Sequence, residues 1–305
     1  MIKYSAPGNL MLMGEHAILH GEPALAMAVA KRIELTLEPL DSTSIEIASE
    51  LGGYTSDLRN LDSSDTFAFL LAAIEQVPEL SSGFKVSIES EFSHQVGLGS
   101  SAAVTASMIA ALLEHGSVSV TPEEVFKRAL AAVHQVQNGR GSGTDLAACI
   151  YGGIVAYEMA ERVVRPLALT PDIDLYYVGY KMKTPDVLAL VESYAQRSPE
   201  IYANLYRLMG DVTRAAEVAI NKSDLIQLGQ LMNQYSGLMD ALGVCDQNLA
   251  QLQYQLRAEP DVLGVKISGS GLGDCVLALG KADPKRIGFE HIPVSISKDG
   301  LRRES

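Results

Sequence analysis

The sequence predicts an α+β protein in two parts, residues 1–166 and 167–305, and three observations lead there. At 305 residues the chain is about twice the ordinary domain of ~150 residues. Apolar residues alternate with polar ones in several short runs and recur at helical spacing in several longer ones. The second half reads strand, helices, strand, glycine-rich turn, strand, which is the order of a helical layer on an antiparallel sheet.

Each element has its own signal. Residues 2–13 are β-tolerant around a Pro7-Gly8 break and read as the first strand. Ala24–Leu40 contains Arg32-Ile33-Glu34-Leu35-Thr36-Leu37, a period-two run, and Ser44–Ala48 and Phe84–Glu89 repeat the pattern. Helical periodicity covers Asp65–Val77 and, more strongly, Ser100–His115. A further helix opens at Thr121-Pro122-Glu123-Glu124, where a threonine cap, a first-turn proline and two early acids favour initiation, and runs to about Gln137. Ile154–Glu158 reads as a strand, and Arg165-Pro166 as the turn where the two parts meet. Leu175–Tyr180 is a strand, three or four helices fill Thr184 to Arg257, and strands at Val262–Ser268 and Cys275–Leu279 follow. Leu225, Leu228, Leu231 and Met232 form an apolar face that reads as core, with a homodimer seam as the alternative.

Composition narrows the function. Hydrophobic residues make up 47% and charged residues 20%, the profile of a globular protein rather than a disordered one. A net charge of −13 repels polyphosphate backbones, so no nucleic-acid partner is expected. A bound anion must then be held by backbone dipoles and a few placed cations. The cleanest apolar run, Ala24 to Ala30, is far below the ~20 residues that span a bilayer, and residues 1–8 lack the apolar core of a signal peptide. Cys149, Cys245 and Cys275 are widely spaced and form no CxxC, so a cytoplasmic location is expected. No GxxxxGK[ST] occurs, which excludes a P-loop, and no GxSxG, which weakens a hydrolase reading.

Chemistry concentrates in glycine-rich turns. In Gln95-Val96-Gly97-Leu98-Gly99-Ser100-Ser101-Ala102, two glycines allow close backbone approach, and the serines sit where a helix would be capped. The free N–H groups of that first turn suit an anion; a plain capped helix start is the alternative. In Asn138-Gly139-Arg140-Gly141-Ser142-Gly143-Thr144-Asp145, Asp145 falls where helical sequence begins. It either caps that helix or accepts a proton from a substrate hydroxyl, and Arg140 is a candidate cation for phosphate oxygens. Ser268-Gly269-Ser270-Gly271-Leu272-Gly273-Asp274 is longer than a hairpin needs and could shape the site floor. In Gly14-Glu15-His16-Ala17-Ile18-Leu19-His20-Gly21 the two histidines are four apart, but the HExxH order is absent. Glu15 and His16 therefore read better as hydrogen-bonding groups for a polar substrate than as zinc ligands.

Taken together, Ala6-Pro7-Gly8-Asn9-Leu10 with Gly14-Glu15-His16-Ala17, then Gly97-Leu98-Gly99-Ser100-Ser101-Ala102, then Ser268-Gly269-Ser270-Gly271 resemble the three motifs of the GHMP small-molecule kinases. That superfamily includes galactokinase, homoserine kinase, mevalonate kinase and phosphomevalonate kinase, and the first motif is most similar to mevalonate kinases. The resemblance implies a two-domain fold, with an N-terminal half like ribosomal protein S5 domain 2 and a ferredoxin-like C-terminal half. It implies ATP with its phosphates over Gly97–Ala102, Mg²⁺ held with help from Ser101, and Asp145 as the catalytic aspartate. The acceptor, mevalonate or phosphomevalonate, would lie near Glu15, His16, Arg140 and Thr184.

Three departures from the family pattern stand out. Asn9 occupies the place of the usual lysine, so a neighbouring cation such as Arg140 or Lys183 is expected to compensate. His134 stands where mevalonate kinases tend to carry a Mg²⁺-binding glutamate. His134-Gln135-Val136-Gln137 and Gly273-Asp274-Cys275 look more like phosphomevalonate kinases, whose acceptor would need cations such as Arg140, Lys181, Lys183 and Arg197. Phosphorylation of the mevalonate hydroxyl is therefore the leading expectation. Phosphomevalonate kinase is the alternative, and a non-catalytic nucleotide- or metabolite-binding protein a further one.

Overall fold

The computed structural model describes residues 1–93 and 97–305; Gln95 and Val96, which open the first glycine stretch, lie outside the described residues. Strand β1 (Ile2–Met13) leads through a 3-10 turn at Ala17–His20 into β2 (Ala24–Pro39). After them come β3 (Ser44–Ser49), β4 (Gly52–Asp57), helix α1 (Ala68–Glu75) and β5 (Phe84–Ser90). Helices α2 (Ser100–His115), α3 (Pro122–Val136) and α4 (Thr144–Tyr151) are followed by β6 (Ile154–Glu158) and β7 (Val163–Leu167). The second half holds β8 (Ile173–Lys181), α5 (Thr184–Arg197), α6 (Pro199–Asn221), α7 (Leu225–Ala241) and α8 (Gln247–Arg257). The chain ends with β9 (Val262–Ser268), β10 (Gly273–Gly280), β11 (Glu290–Ile292) and β12 (Arg302–Arg303).

These strands make two sheets. The first runs β12-β1-β2-β5-β3-β4, with β6 also on β2 and β7 on β6; the second runs β11-β8-β10-β9. Pairing is antiparallel throughout the described residues except between β3 and β5. The last residues return to the first sheet: Tyr4 pairs with Arg303, Val29 bridges Ile296, and Arg32 donates to the Gly300 carbonyl at 2.7 Å.

Helix α2 is the hub of the first layer. Its buried face carries Ala102, Ala103, Ala106, Ala110 and Ala111, and such small side chains let the helix lie close to β1 and β2 while α1, α3 and α4 pack around it. Helix α3 starts as its sequence dictates, with the Thr121 hydroxyl accepting from Glu124 N at 3.2 Å and Pro122 in the first turn. In the second layer α7 and α8 cover β9, and α6 packs on α7.

One expectation needs correction, and two left open are decided. Arg165-Pro166 is not a turn but the middle of β7, with Pro166 opposite Val155. Strand β7 lies at the sheet edge, where a missing N–H costs no ladder bond, and Arg165 is fixed by Glu158 at 2.6 Å and Glu217 at 3.0 Å. Leu228, Leu231 and Met232 are buried and Leu225 is partly buried, so this face is core and not a dimer seam. The interval from Thr184 to Arg257 contains four helices, and the polar β4 and the short β11 and β12 carried no usable periodicity.

Candidate active site

The three glycine-rich segments meet at a cavity of about 360 Å³. The contact between the first two is steric. A side chain at Gly8 would strike the Leu98 carbonyl at 2.8 Å, and one at Gly99 would overlap the Asn9 amide at 1.9 Å. Asn9 itself is buried; its backbone N–H donates to Leu98 O at 2.9 Å and its side chain donates to Gly99 O at 3.4 Å and Cys149 Sγ at 3.1 Å. Apolar burial holds the Cys149 thiol well above its ordinary pKa, which keeps it a neutral packing group.

Gly97, Leu98, Gly99, Ser100, Ser101 and Ala102 all line the cavity. The serines do not cap α2, as the sequence suggested. Gly99, in the left-handed region at φ +64°, is the cap residue, and Ser100 and Ser101 follow it with no side-chain capping bond. The first turn of this 16-residue helix therefore borders the cavity, the arrangement that favours an anion. Ser100 and Ser101 also line a second, mostly apolar cavity of about 230 Å³ with Phe67, Leu70, Ile88 and Phe92.

Asp145 is the second residue of α4, whose cap is Gly143 at φ +88°. It does not cap: the Ser142 hydroxyl accepts from Thr144 N at 3.2 Å, and the Asp145 carboxylate has no hydrogen bond or ion pair among the described residues. It is reached by solvent through the cavity yet walled in by protein. That crowding pushes its pKa up, while the Lys181 charge pulls it down. His134 turns away from the site, donating from Nε2 to Gly141 O at 2.8 Å, and so shapes the loop before Asp145.

The third segment closes the floor. Its turn packs on the first motif: His16 Nε2 donates to Ser270 O at 2.9 Å and Ser268 Oγ to Met11 O at 3.1 Å. Glu15 and His16 both line the cavity and are buried, and desolvation holds His16 below its ordinary pKa. His20 instead stacks on Tyr206 at 3.8 Å, so the two histidines do not face a common ligand.

Two lysines were not anticipated in their observed roles. Lys266 is fully buried beneath Glu15 and donates to its Oε1, while Glu15 Oε2 keeps no hydrogen-bond partner. Tyr235 braces the same corner, donating to Glu15 O at 3.0 Å and accepting from Gly14 N at 2.9 Å. Lys181, at the end of β8, lies 2.5 Å from Asp274 Oδ2, and both line the cavity. The sequence carried a faint signal for each. Lys266 interrupts an otherwise apolar strand, and Asp274 is a charged residue inside a glycine turn, at φ +71°.

Arg140 and Thr184 also line the cavity, both exposed, whereas Lys183 and Arg197 do not line it. The expected compensating cation is therefore not Lys183. Among the described residues no three His, Cys, Asp or Glu side chains cluster as an all-protein metal cage.

Two family models match the chain in order: the GHMP kinases N-terminal domain over residues 65–153 and the GHMP kinases C-terminal domain over 216–290. A mevalonate kinase of Pyrococcus abyssi is 31% identical, the match covering 100% of this chain and 98% of the relative. Among solved structures, the Lin0012 protein from Listeria innocua superposes with a TM-score of 0.86 at 22% identity, over 99% of both chains. Streptococcus pneumoniae phosphomevalonate kinase in complex with phosphomevalonate and AMPPNP superposes with a TM-score of 0.82 at 20% identity, over 97% of this chain and 100% of that one. The solved structures share the fold; the full-length relative and the paired models go further, and the chain belongs to the GHMP kinase family and, within it, to the family of the mevalonate kinases.

Proposed function

We propose that the chain is an ATP:mevalonate phosphotransferase, moving the γ-phosphoryl group of ATP to the acceptor's primary hydroxyl to give 5-phosphomevalonate and ADP. The observation that carries this reading is the pairing of an unpartnered carboxylate, Asp145, with the open N-terminus of α2 in one cavity. The phosphates lie over Gly97–Ala102, and the base enters the adjoining apolar cavity, because Ser100 and Ser101 belong to both. Asp145 accepts the hydroxyl proton as the new O–P bond forms, the bond from Pγ to the β-phosphate oxygen breaks, and ADP departs with that oxygen. Glu15, His16, Arg140 and Thr184, which all line the cavity, surround the acceptor.

Mg²⁺ fits this donor set. The ion takes hard oxygens, keeps several waters and uses only one or two protein carboxylates beside the phosphates; the Ser101 hydroxyl and the Asp145 carboxylate are such oxygens, and His134 is engaged elsewhere. When bound, the ion supplies neutralisation of phosphate charge.

The choice of acceptor rests on charge. The cavity presents Glu15, Asp145 and Asp274 against Arg140 and Lys181, with Lys266 behind Glu15. The singly charged mevalonate is accommodated by Arg140. A phosphorylated acceptor adds ~2 further negative charges, with no further lysine or arginine among the described cavity residues to receive them. Steady-state ADP release with each acceptor tests the reading. Turnover of mevalonate that Asp145→Asn lowers at least about a thousandfold is expected, whereas turnover of phosphomevalonate alone removes it. No turnover with either acceptor would favour a binding protein.

A further inference from the structure

We propose that Lys181 is the catalytic cation of this site: held by Asp274, its ammonium contacts the phosphoryl group in transfer. The proposal rests on the kinase reading above and adds a residue from the opposite half of the chain.

The argument begins with which charges are already answered. Among the described residues lining the cavity, the carboxylates are Glu15, Asp145 and Asp274, and the lysines and arginines are Arg140 and Lys181. Glu15 is neutralised from beneath by Lys266, a residue with no exposure at all. Asp145 has no ion-pair partner. A phosphoryl group in flight spreads negative charge over its equatorial oxygens, and a placed cation is the usual answer to it. Asn9 cannot supply that charge, since its amide is neutral and engaged with Gly99 and Cys149.

Arg140 and Lys181 differ in how firmly they are held. Arg140 is exposed on the loop before α4 and its guanidinium makes no hydrogen bond among the described residues. Lys181 is anchored twice. Its backbone is in register with Gly273, and the next residue, Met182, donates to Leu272 O at 3.2 Å. Its ammonium is fixed by Asp274, whose side chain is 4% exposed.

Asp274 in turn sits against the loop that opens α2. A Cβ at Gly97 would lie 2.2 Å from Asp274 Oδ1, and that oxygen is buried without a hydrogen-bond partner. Asp274 and Leu272 both hold positive φ, a strained backbone conformation for non-glycine residues. The strained turn thus sets a carboxylate beside the phosphate loop, where alone it would repel the nucleotide. Lys181 cancels that charge and turns a cation toward the cavity side of the pair. An ammonium has three donors, so one can remain on Asp274 while the others reach phosphoryl oxygens. The Lys181 side chain, 35% exposed, has the freedom to do this, and its charge also opposes the upward push that burial gives the Asp145 pKa.

The test compares wild type with Lys181→Met, Lys181→Gln and Lys181→Arg in the full chain, with thermal melts to establish folding. Two quantities are read: turnover by ADP release, and the affinities of Mg²⁺ with AMPPNP and Mg²⁺ with ADP by titration calorimetry. The Met and Gln variants should lose about a hundredfold in turnover. They should also lose about fivefold or more of the preference for the triphosphate over ADP, with Arg retaining most of it. A purely structural role would weaken both nucleotides together. Turnover within about threefold of wild type, or an unchanged affinity ratio, overturns the proposal. If wild type turns over neither acceptor, the kinase reading fails, while the affinity ratio still decides on Lys181.

Discussion

The two lysine–carboxylate pairs at this cavity are built from the same groups and do opposite things. Glu15–Lys266 is sealed, with side chains 3% and 0% exposed; Lys181–Asp274 is open on its lysine side, 35% against 4%. A sealed pair has surrendered its hydration, so each charge depends on the other and the pair can only hold geometry. Here it fixes Glu15 through its Oε1 and anchors β9 to the turn after β1. An open pair keeps part of its hydration and can exchange a partner, which a reacting anion requires. One pair is scaffold and the other is chemistry.

The contrast can be broken by measurement. Lys266→Met should cost about 3–5 kcal/mol, since it strands a buried carboxylate. Chemical denaturation would show this, and Glu15→Gln added to it should recover a large part. A loss below about 1 kcal/mol would mean the pair is not sealed in solution. An intermediate effect belongs to His16, which is buried next to Glu15 and donates to Ser270 O. Burial depresses its folded pKa below the unfolded value, so the unfolded chain binds the proton more readily and stability falls on acidification below pH ~6.5. Between pH 7 and 5.5 stability should fall, and His16→Gln should abolish that fall, read from paired denaturation curves. The smallest effect is expected at the open pair. Lys181→Met also leaves a buried carboxylate without its cation, but Asp274 borders the cavity, where water can take the place of the ammonium, so its stability cost should fall clearly below that of Lys266→Met even as turnover collapses. A stability loss like that of Lys266→Met would erase the distinction.

Much of the site was legible because its parts are local. Helix α2 begins and ends where periodicity and the glycine–serine turn said it would, and α3 begins at its threonine cap. Asp145 was legible for the same reason, as an acid at the first turn of a helix behind a glycine loop. The misreadings share a cause. Arg165-Pro166 looks like a turn until β6 and Glu217 are beside it. Ser100 and Ser101 look like caps until Gly99 takes that position against Asn9. Lys183 looked as available as Lys181, although two residues of backbone turn it out of the cavity.

The sequence by itself determined the α+β class, the glycine turns, the candidate base and the helix start that borders the cavity, because φ freedom, capping and periodicity are properties of neighbouring residues. Only the tertiary structure decided which charges meet. Lys266 and Glu15 are 251 positions apart, and Lys181 and Asp274 meet only because β8 and β10 pair. A charge's role is set by the partner and the solvent left around it, and both are fixed by packing across the whole chain.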